Sequence, residues 1–184
     1  MHTIEWYSED VRGDISNENT VCGRRYQLSY DGSNGYVFYK TEDNSIPNSI
    51  IAFGKFNDIE IALINESTKL SSKFTIVNNN NKKSIGYFND GFFFRWARYN
   101  TYAKNQSIFN KNSAVELKFE IYRVYNNIDL TINVNTTEKK WYKNVYTTAI
   151  KGWIDTRDIP DWEFILSAFM CLHRHIEFEI QYSS

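Results

Sequence analysis

Asp158-Ile159-Pro160-Asp161-Trp162-Glu163-Phe164-Ile165-Leu166-Ser167-Ala168-Phe169-Met170-Cys171-Leu172 is the stretch on which the fold turns. Its first four residues read as a helix start, because Asp suits a cap and Pro suits the first turn. The residues that follow are apolar on every side of a helical wheel. Such a helix is buried all round or crosses a membrane. The most apolar part, Phe164 to Leu172, is nine residues, and a spanning helix needs about 20. The alternative is enclosure within the protein, which places a central helix at about 160–174. Ile176, Phe178, Ile180 and Tyr182 then alternate with Glu177, Glu179 and Gln181, which predicts a closing strand over 176–182.

Upstream, period-2 alternation runs from about residue 20 to 157. Strands are predicted at Arg24–Tyr30, Gly35–Lys40, Ile50–Phe56, Ile59–Ile64 and Lys73–Val77. Turns are expected at Asp31-Gly32-Ser33-Asn34 and over Asn78 to Asn81. A hairpin over Ile85 to Tyr99, with Asp90-Gly91 as its loop, would pair Tyr87 with Phe94, Ile85 with Trp96 and Phe88 with Phe93. A second, looped at Asn126-Asn127, would set Ile121 opposite Ile132, Phe119 opposite Val134, Glu120 opposite Asn133 and Lys118 opposite Asn135. It leaves Arg123 misfitted against Leu130. Thr101 to Ser113 reads as the longest loop, and Trp141 to Ile154 as one or two further strands. With only eight Gly and two Pro in the chain, its 21 Asn are the natural turn formers. The order is many antiparallel strands, one helix with no polar side, and one last strand. The fold expected is mainly β: one domain over 1–184, a closed antiparallel barrel of about ten to twelve strands around a buried C-terminal helix. Closure also removes exposed sheet edges.

In this arrangement the chain resembles the tubby C-terminal-like superfamily, which includes tubby proteins, phospholipid scramblases, the plant LURP-one-related proteins and a fungal family. The likeness is carried by Asp158 to Leu172, similar to the central helix, and by Ile176-Glu177-Phe178-Glu179, similar to the closing strand. Gly91-Phe92-Phe93-Phe94-Arg95-Trp96 is similar to a middle-barrel strand of the fungal members. The resemblance implies a barrel of roughly twelve strands around a hydrophobic helix. The chain departs from scramblases in having neither a cysteine-rich palmitoylation stretch nor a Pro-rich tail, and it shows no acidic calcium motif. The phosphoinositide-binding residues of tubby proteins have no residue-by-residue match here.

Net charge is −1, but it is unevenly spread: −6 over residues 1–66, +9 over 67–157 and −4 over 158–184. That asymmetry points to an anionic partner for the middle segment or to charge complementarity between segments. Aromatics make up 17% of the chain, which excludes a disordered class. Two cysteines, Cys22 and Cys171, exclude a disulfide scaffold and read as free thiols. The opening residues carry no basic and apolar leader, so the expected location is cytoplasmic, peripheral to a membrane at most. The sequons at Asn65, Asn105 and Asn135 are read as chance matches in an Asn-rich chain.

No P-loop, GxGxxG, GxSxG, HExxH or CxxC pair occurs. Cys171, His173 and His175 form a C-x-H-x-H string that could gather on a strand; a zinc site would still need a fourth ligand or an open position. The plainer reading places His173 and Arg174 at a helix C-terminus, against the negative dipole end. Glu177 with Glu179, and Glu116 with Glu120, read as solvent-facing strand positions. No catalytic residue, metal or cofactor is expected. The candidate anion- or lipid-binding residues are Lys82, Lys83, Arg95, Arg98, Lys139, Lys140 and Lys143, some beside aromatics, a mixture that suits anionic headgroups. The expected function is a non-enzymatic intracellular binding domain. It would engage an anionic, phosphoinositide-like membrane lipid or a protein partner through its outer surface; nucleic acid is not an expected partner. The alternatives are a lipocalin-like barrel carrying a small hydrophobic ligand, whose helix would lie outside and stay amphipathic, and a nuclease using His173 or His175.

Overall fold

The computed structural model describes residues 1–12, 21–40, 47–68, 71–89, 93–96, 100–109, 115–123, 128–136 and 150–182. Among these residues, twelve strands precede one helix: β1 (His2–Arg12), β2 (Val21–Tyr30), β3 (Ser33–Lys40), β4 (Ile50–Phe56), β5 (Ile59–Asn65), β6 (Lys73–Asn78), β7 (Ser84–Asn89), β8 (Phe93–Trp96), β9 (Asn100–Phe109), β10 (Val115–Arg123), β11 (Ile128–Thr136), β12 (Ile150–Thr156) and α1 (Trp162–Tyr182). The protein is mainly β; among the described residues every ladder is antiparallel and each strand lies beside its neighbour in sequence. The order of neighbours runs β1, β12, β11 and so on down to β2, so β1 lies between β12 and β2.

Period-2 burial organises the wall. In β1, Ile4, Trp6 and Ser8 are buried while Thr3, Glu5 and Tyr7 face out. Two-residue links join the early strands. Asp31 and Gly32 both adopt positive φ, 48° and 74°, and connect β2 to β3, the backbone signature of a tight hairpin turn. Asn57 (φ 51°) opens the link between β4 and β5. Between β6 and β7, the Asn78 side-chain oxygen accepts from the backbone N–H of Asn80 at 2.9 Å and of Asn81 at 3.3 Å. Asn therefore makes turns here by the two routes open to it, left-handed backbone and side-chain capping.

The helix starts two residues later than Pro160 suggests. Asp161 is the cap: its carboxylate accepts the Phe164 N–H at 3.3 Å and its carbonyl accepts the Ile165 N–H at 2.9 Å. Pro160 precedes the cap instead of entering the first turn. All nine residues from Phe164 to Leu172 are buried, none more than 8% exposed. Nine residues cover two and a half turns, so buried residues occupy every side of this part of the helix. It approaches β3, β4 and β5 and also β10 and β11. Phe169 meets the rings of Trp6 at 5.1 Å and Tyr26 at 4.7 Å, both edge-on. Trp162 stacks on Phe56 at 3.4 Å.

Several expectations are corrected. The closing strand over 176–182 does not form: α1 continues through Tyr182. No Gly, Pro or Asn interrupts the chain after Leu172, and Glu177, Glu179 and Gln181 favour helix. A seven-residue alternation is too short to separate the two periods. Ile176 is fully buried and stands one turn beyond Leu172. The helix also exceeds the expected 160–174, so His173 and Arg174 are not at its C-terminus. The position facing β12 belongs to β1, which lies before the expected start of the barrel near residue 20.

The β10–β11 ladder sets Ile121 opposite Leu130, Phe119 opposite Ile132 and Lys118 opposite Asn133. That is two residues from the expected register, so every side chain keeps its face, and the Arg123–Leu130 misfit disappears. The β7–β8 ladder pairs Phe88 with Phe94, Tyr87 with Arg95 and Gly86 with Trp96, one residue off. The stretch read as a long loop is largely strand β9, whose backbone is paired to β8 and β10. Its polar composition hid it, because ladder hydrogen bonds need no apolar side chains. Asp90, Gly91, Asn126, Asn127 and residues 141–149 lie outside the described residues.

Candidate functional site

Lys82 and Lys83 occupy the link between β6 and β7, and both are exposed. The link is held by Asn side chains: beyond the Asn78 cap, the Asn81 oxygen accepts the Lys83 N–H at 2.9 Å. Lys82 has φ 57°, and its ammonium donates to the Asn79 side-chain oxygen at 2.6 Å. Arg95 is on β8, at the register position opposite Tyr87. Tyr87 lies four residues along the chain from Lys83, roughly 13 Å for an extended strand. Arg98, Lys139, Lys140 and Lys143 lie outside the described residues.

Lys82 instead belongs to a different neighbourhood. On the outer face of β3, β4 and β5, Phe53 is opposite Phe38 and Ala62, and Lys55 is opposite Tyr36 and Glu60. The Tyr36 and Phe53 rings meet edge-on at 5.9 Å, and Phe38 lies 5.4 Å from Phe53. Around them is a cleft of about 390 Å³ whose walls include Tyr36, Lys40, Ile50, Phe53, Lys55 and Glu60. Asn79 bounds it at the turn end.

A polar chain crosses that end. The Lys55 ammonium pairs with Glu60 Oε1 at 2.6 Å. The Asn79 amide reaches Glu60 Oε2 at 3.5 Å, and its backbone N–H donates to the Glu60 carbonyl at 2.8 Å. The other side of the same amide accepts from Lys82. The hydrogen bond from Lys55, and then that from Asn79, holds the Glu60 carboxyl below the usual range; Glu60 in turn raises Lys55. Both groups are solvent-facing, so the pair positions side chains more than it stabilises the fold. Next to Tyr36, the Arg25 guanidinium lies 5.7 Å from its ring centre.

Sequence reasoning missed Lys40 and Lys55 because both lie in the segment with net charge −6. The described ion pairs show why counting by segment misleads. Arg24 pairs with Asp10, Arg25 with Glu9 and Lys55 with Glu60, all inside that segment. The signal that would have found Lys55 was present: a two-residue link at Asn57-Asp58 sets it opposite Glu60.

The helix string carries a different chemistry from the one sought. His173 is half-buried: its Nδ1 is hydrogen-bonded with the Tyr26 hydroxyl at 2.5 Å, and its ring stacks on Tyr39 at 3.7 Å. Tyr39 donates its hydroxyl to the Met170 carbonyl. These contacts fasten α1 to β2 and β3. Cys171 is buried, and burial pushes its thiol well above the ordinary value. No group of three or more His, Cys, Asp or Glu side chains capable of holding a metal occurs among the described residues. Glu120 departs from the solvent-facing reading: it is 6% exposed and receives hydrogen bonds from Lys118, at 2.6 Å, and from the Tyr122 hydroxyl. Glu177 and Glu179 are on the helix, so they do not share a strand face.

Among the described residues no helix is long and apolar enough to cross a membrane. Comparison of the chain with protein-family models, with curated proteins and with solved structures finds no match.

Proposed function

We propose that this protein is a non-enzymatic, tubby-like binding domain in which a closed barrel is filled by α1, and that it engages anionic membrane lipid through its outer surface. The filled-barrel reading is supported by the neighbours of β1 on both sides and by the unbroken burial of Phe164 to Leu172. A helix that occupies the interior moves any ligand site to the outer wall. The lipocalin-like alternative needs an amphipathic outer helix, and the buried run on α1 has no polar side to offer one. The observation that carries the reading is the outer cleft, where Lys40 and Lys55 stand beside an aromatic floor with Glu60 between them, and Lys82 meets the cleft through Asn79. Phospholipid headgroups are anionic, and each Lys near a charged surface contributes about 1 kcal/mol of attraction.

Flotation with phosphoinositide-containing and with neutral phosphatidylcholine vesicles tests this. The protein should float with the anionic vesicles at low salt and lose them at high salt, because exposed charges are screened within about 10 Å at 0.1 M. The double substitution Lys55→Glu, Lys82→Glu should weaken binding at least tenfold. Equal flotation with both vesicle types, or none at low salt, overturns the proposal.

A further inference from the structure

We infer that the outer cleft takes a monoanionic amphiphile, a carboxylate or similar single charge on an apolar body, with the charge held by Lys40. The inference rests on the reading of this wall as a binding surface and sharpens the class of ligand.

The two ends of the cleft differ. At the turn end the polar groups satisfy one another: Lys55 pairs with Glu60, and Asn79 bridges Glu60 to Lys82. An incoming anion there must compete with a carboxylate already in place. Lys40, at the end of β3, has no hydrogen-bond or ion-pair partner among the described residues. It follows Tyr39, which pairs with Ala52; Lys55 lies three residues further along β4. Lys40 is four residues from Tyr36, which faces Lys55, so the two ends are separated by roughly 13 Å of extended strand. Between them the wall offers Tyr36, Phe53 and Ile50, and Ile50 is 42% exposed.

The volume, about 390 Å³, falls within the range of small-molecule sites, roughly 300–1,000 Å³, with polar and apolar surface in about equal parts. One open cation beside an aromatic and aliphatic surface complements one negative charge on an apolar body. A polyphosphate would need several open cations close together. Covering Ile50 and the Phe53 ring contributes about 25 cal/mol per Å² of apolar surface removed from water, a term an inorganic anion lacks.

The experiment uses the intact protein and anilinonaphthalene sulfonate, an aromatic monoanion whose fluorescence reports binding, displaced in turn by decanoate, decanol and inorganic phosphate. Far-UV circular dichroism confirms that each variant is folded. Saturable one-to-one binding is expected, with decanoate displacing the probe at least tenfold better than decanol and phosphate having no effect. Lys40→Glu should remove most of the decanoate preference and leave decanol unchanged, while Lys151→Glu on β12 should leave both unchanged. Displacement by phosphate as readily as by decanoate would reduce the site to a small-anion site and overturn the inference. So would a lack of saturable binding to folded protein, or an unchanged decanoate preference in Lys40→Glu. Vesicle flotation separates the two proposals. Vesicle binding without decanoate binding sinks this inference alone, and decanoate binding without flotation sinks the membrane proposal alone.

Discussion

Replacing Phe169 by Ala and, separately, Cys171 by Asp tests whether α1 is surrounded. The two positions are two residues apart, about 200° around the helix, so they point to nearly opposite walls. Phe169 is fully buried. Removing a buried Phe costs about 3–5 kcal/mol, and its edge-on contacts with Trp6 and Tyr26 are each worth about 0.5–1.5 kcal/mol beyond the area term. These overlap, which puts Phe169→Ala in the upper part of the range, about 4–5 kcal/mol. Cys171 is 2% exposed, and an uncompensated carboxylate there should cost at least about 3 kcal/mol. Domains of this kind are stable by about 5–15 kcal/mol, so either variant could lose most of its folded population. Phe169→Leu provides a milder step, about 1–2 kcal/mol. Urea denaturation followed by far-UV circular dichroism and Trp fluorescence gives both values. A helix resting on one sheet face would tolerate one of the two positions. If Cys171→Asp, or the two Phe169 substitutions together, cost less than about 1 kcal/mol, the all-round burial argument fails.

Gly152→Ala should destabilise by more than about 2 kcal/mol, a severe case of overpacking. A Cβ there would stand 1.8 Å from the Asn133 carbonyl oxygen and 2.8 Å from the Trp6 ring, and a thermal melt measures the loss. Thiol titration of the folded protein near pH 8 should leave Cys171 unreacted, since burial raises its pKa and blocks access. Cys22 is partly exposed and should react, and the second thiol should appear only on unfolding. The Glu66 carboxyl is held low by the Thr75 hydroxyl first and then by Lys73. A depressed folded pKa contributes stability that is present above the unfolded value, about 4.3, and is lost as pH falls through the folded one. The acid limb of melting temperature against pH should therefore be shallower in Glu66→Gln; an unchanged limb would contradict the assignment.

Much of the wall was legible in the sequence because its inner and outer residues alternate. Ile50–Phe56 is predicted and found unchanged, and Arg24–Tyr30, Gly35–Lys40, Ile59–Ile64 and Lys73–Val77 each grow by one to three residues. The helix was legible from Phe164 to Leu172 by its want of a polar side. Register was less so, since a two-residue shift in β10–β11 leaves both faces intact and local pattern cannot detect it. β9 was invisible because its sequence is polar, although its backbone is fully engaged. Beyond Leu172 the same residues satisfy either period, and the good helix formers Glu177, Glu179 and Gln181 settle the choice. The site was the least legible part. Of the two proposed cations whose side chains are described, Lys82 reaches the cleft region, through Asn79. Lys40 and Lys55 were hidden because counting charge by segment does not show which cations meet which acids.

The pairing of β1 with β12 sets Ile4 beside Ile154, the two ends of nearly the whole strand series. No synthesis intermediate can satisfy β1 on that side until β12 has been made, and α1, which covers the inner surface, follows β12. Until β12 and α1 are made, the growing sheet therefore carries a first strand unpaired on one side and apolar residues that α1 has yet to cover, features that make partly folded chains aggregate. Long-range pairing of this sort also slows folding, to about milliseconds to seconds even in small β domains. A nascent chain stalled before residue 162 should be held by chaperones, whereas one extended past α1 should be released.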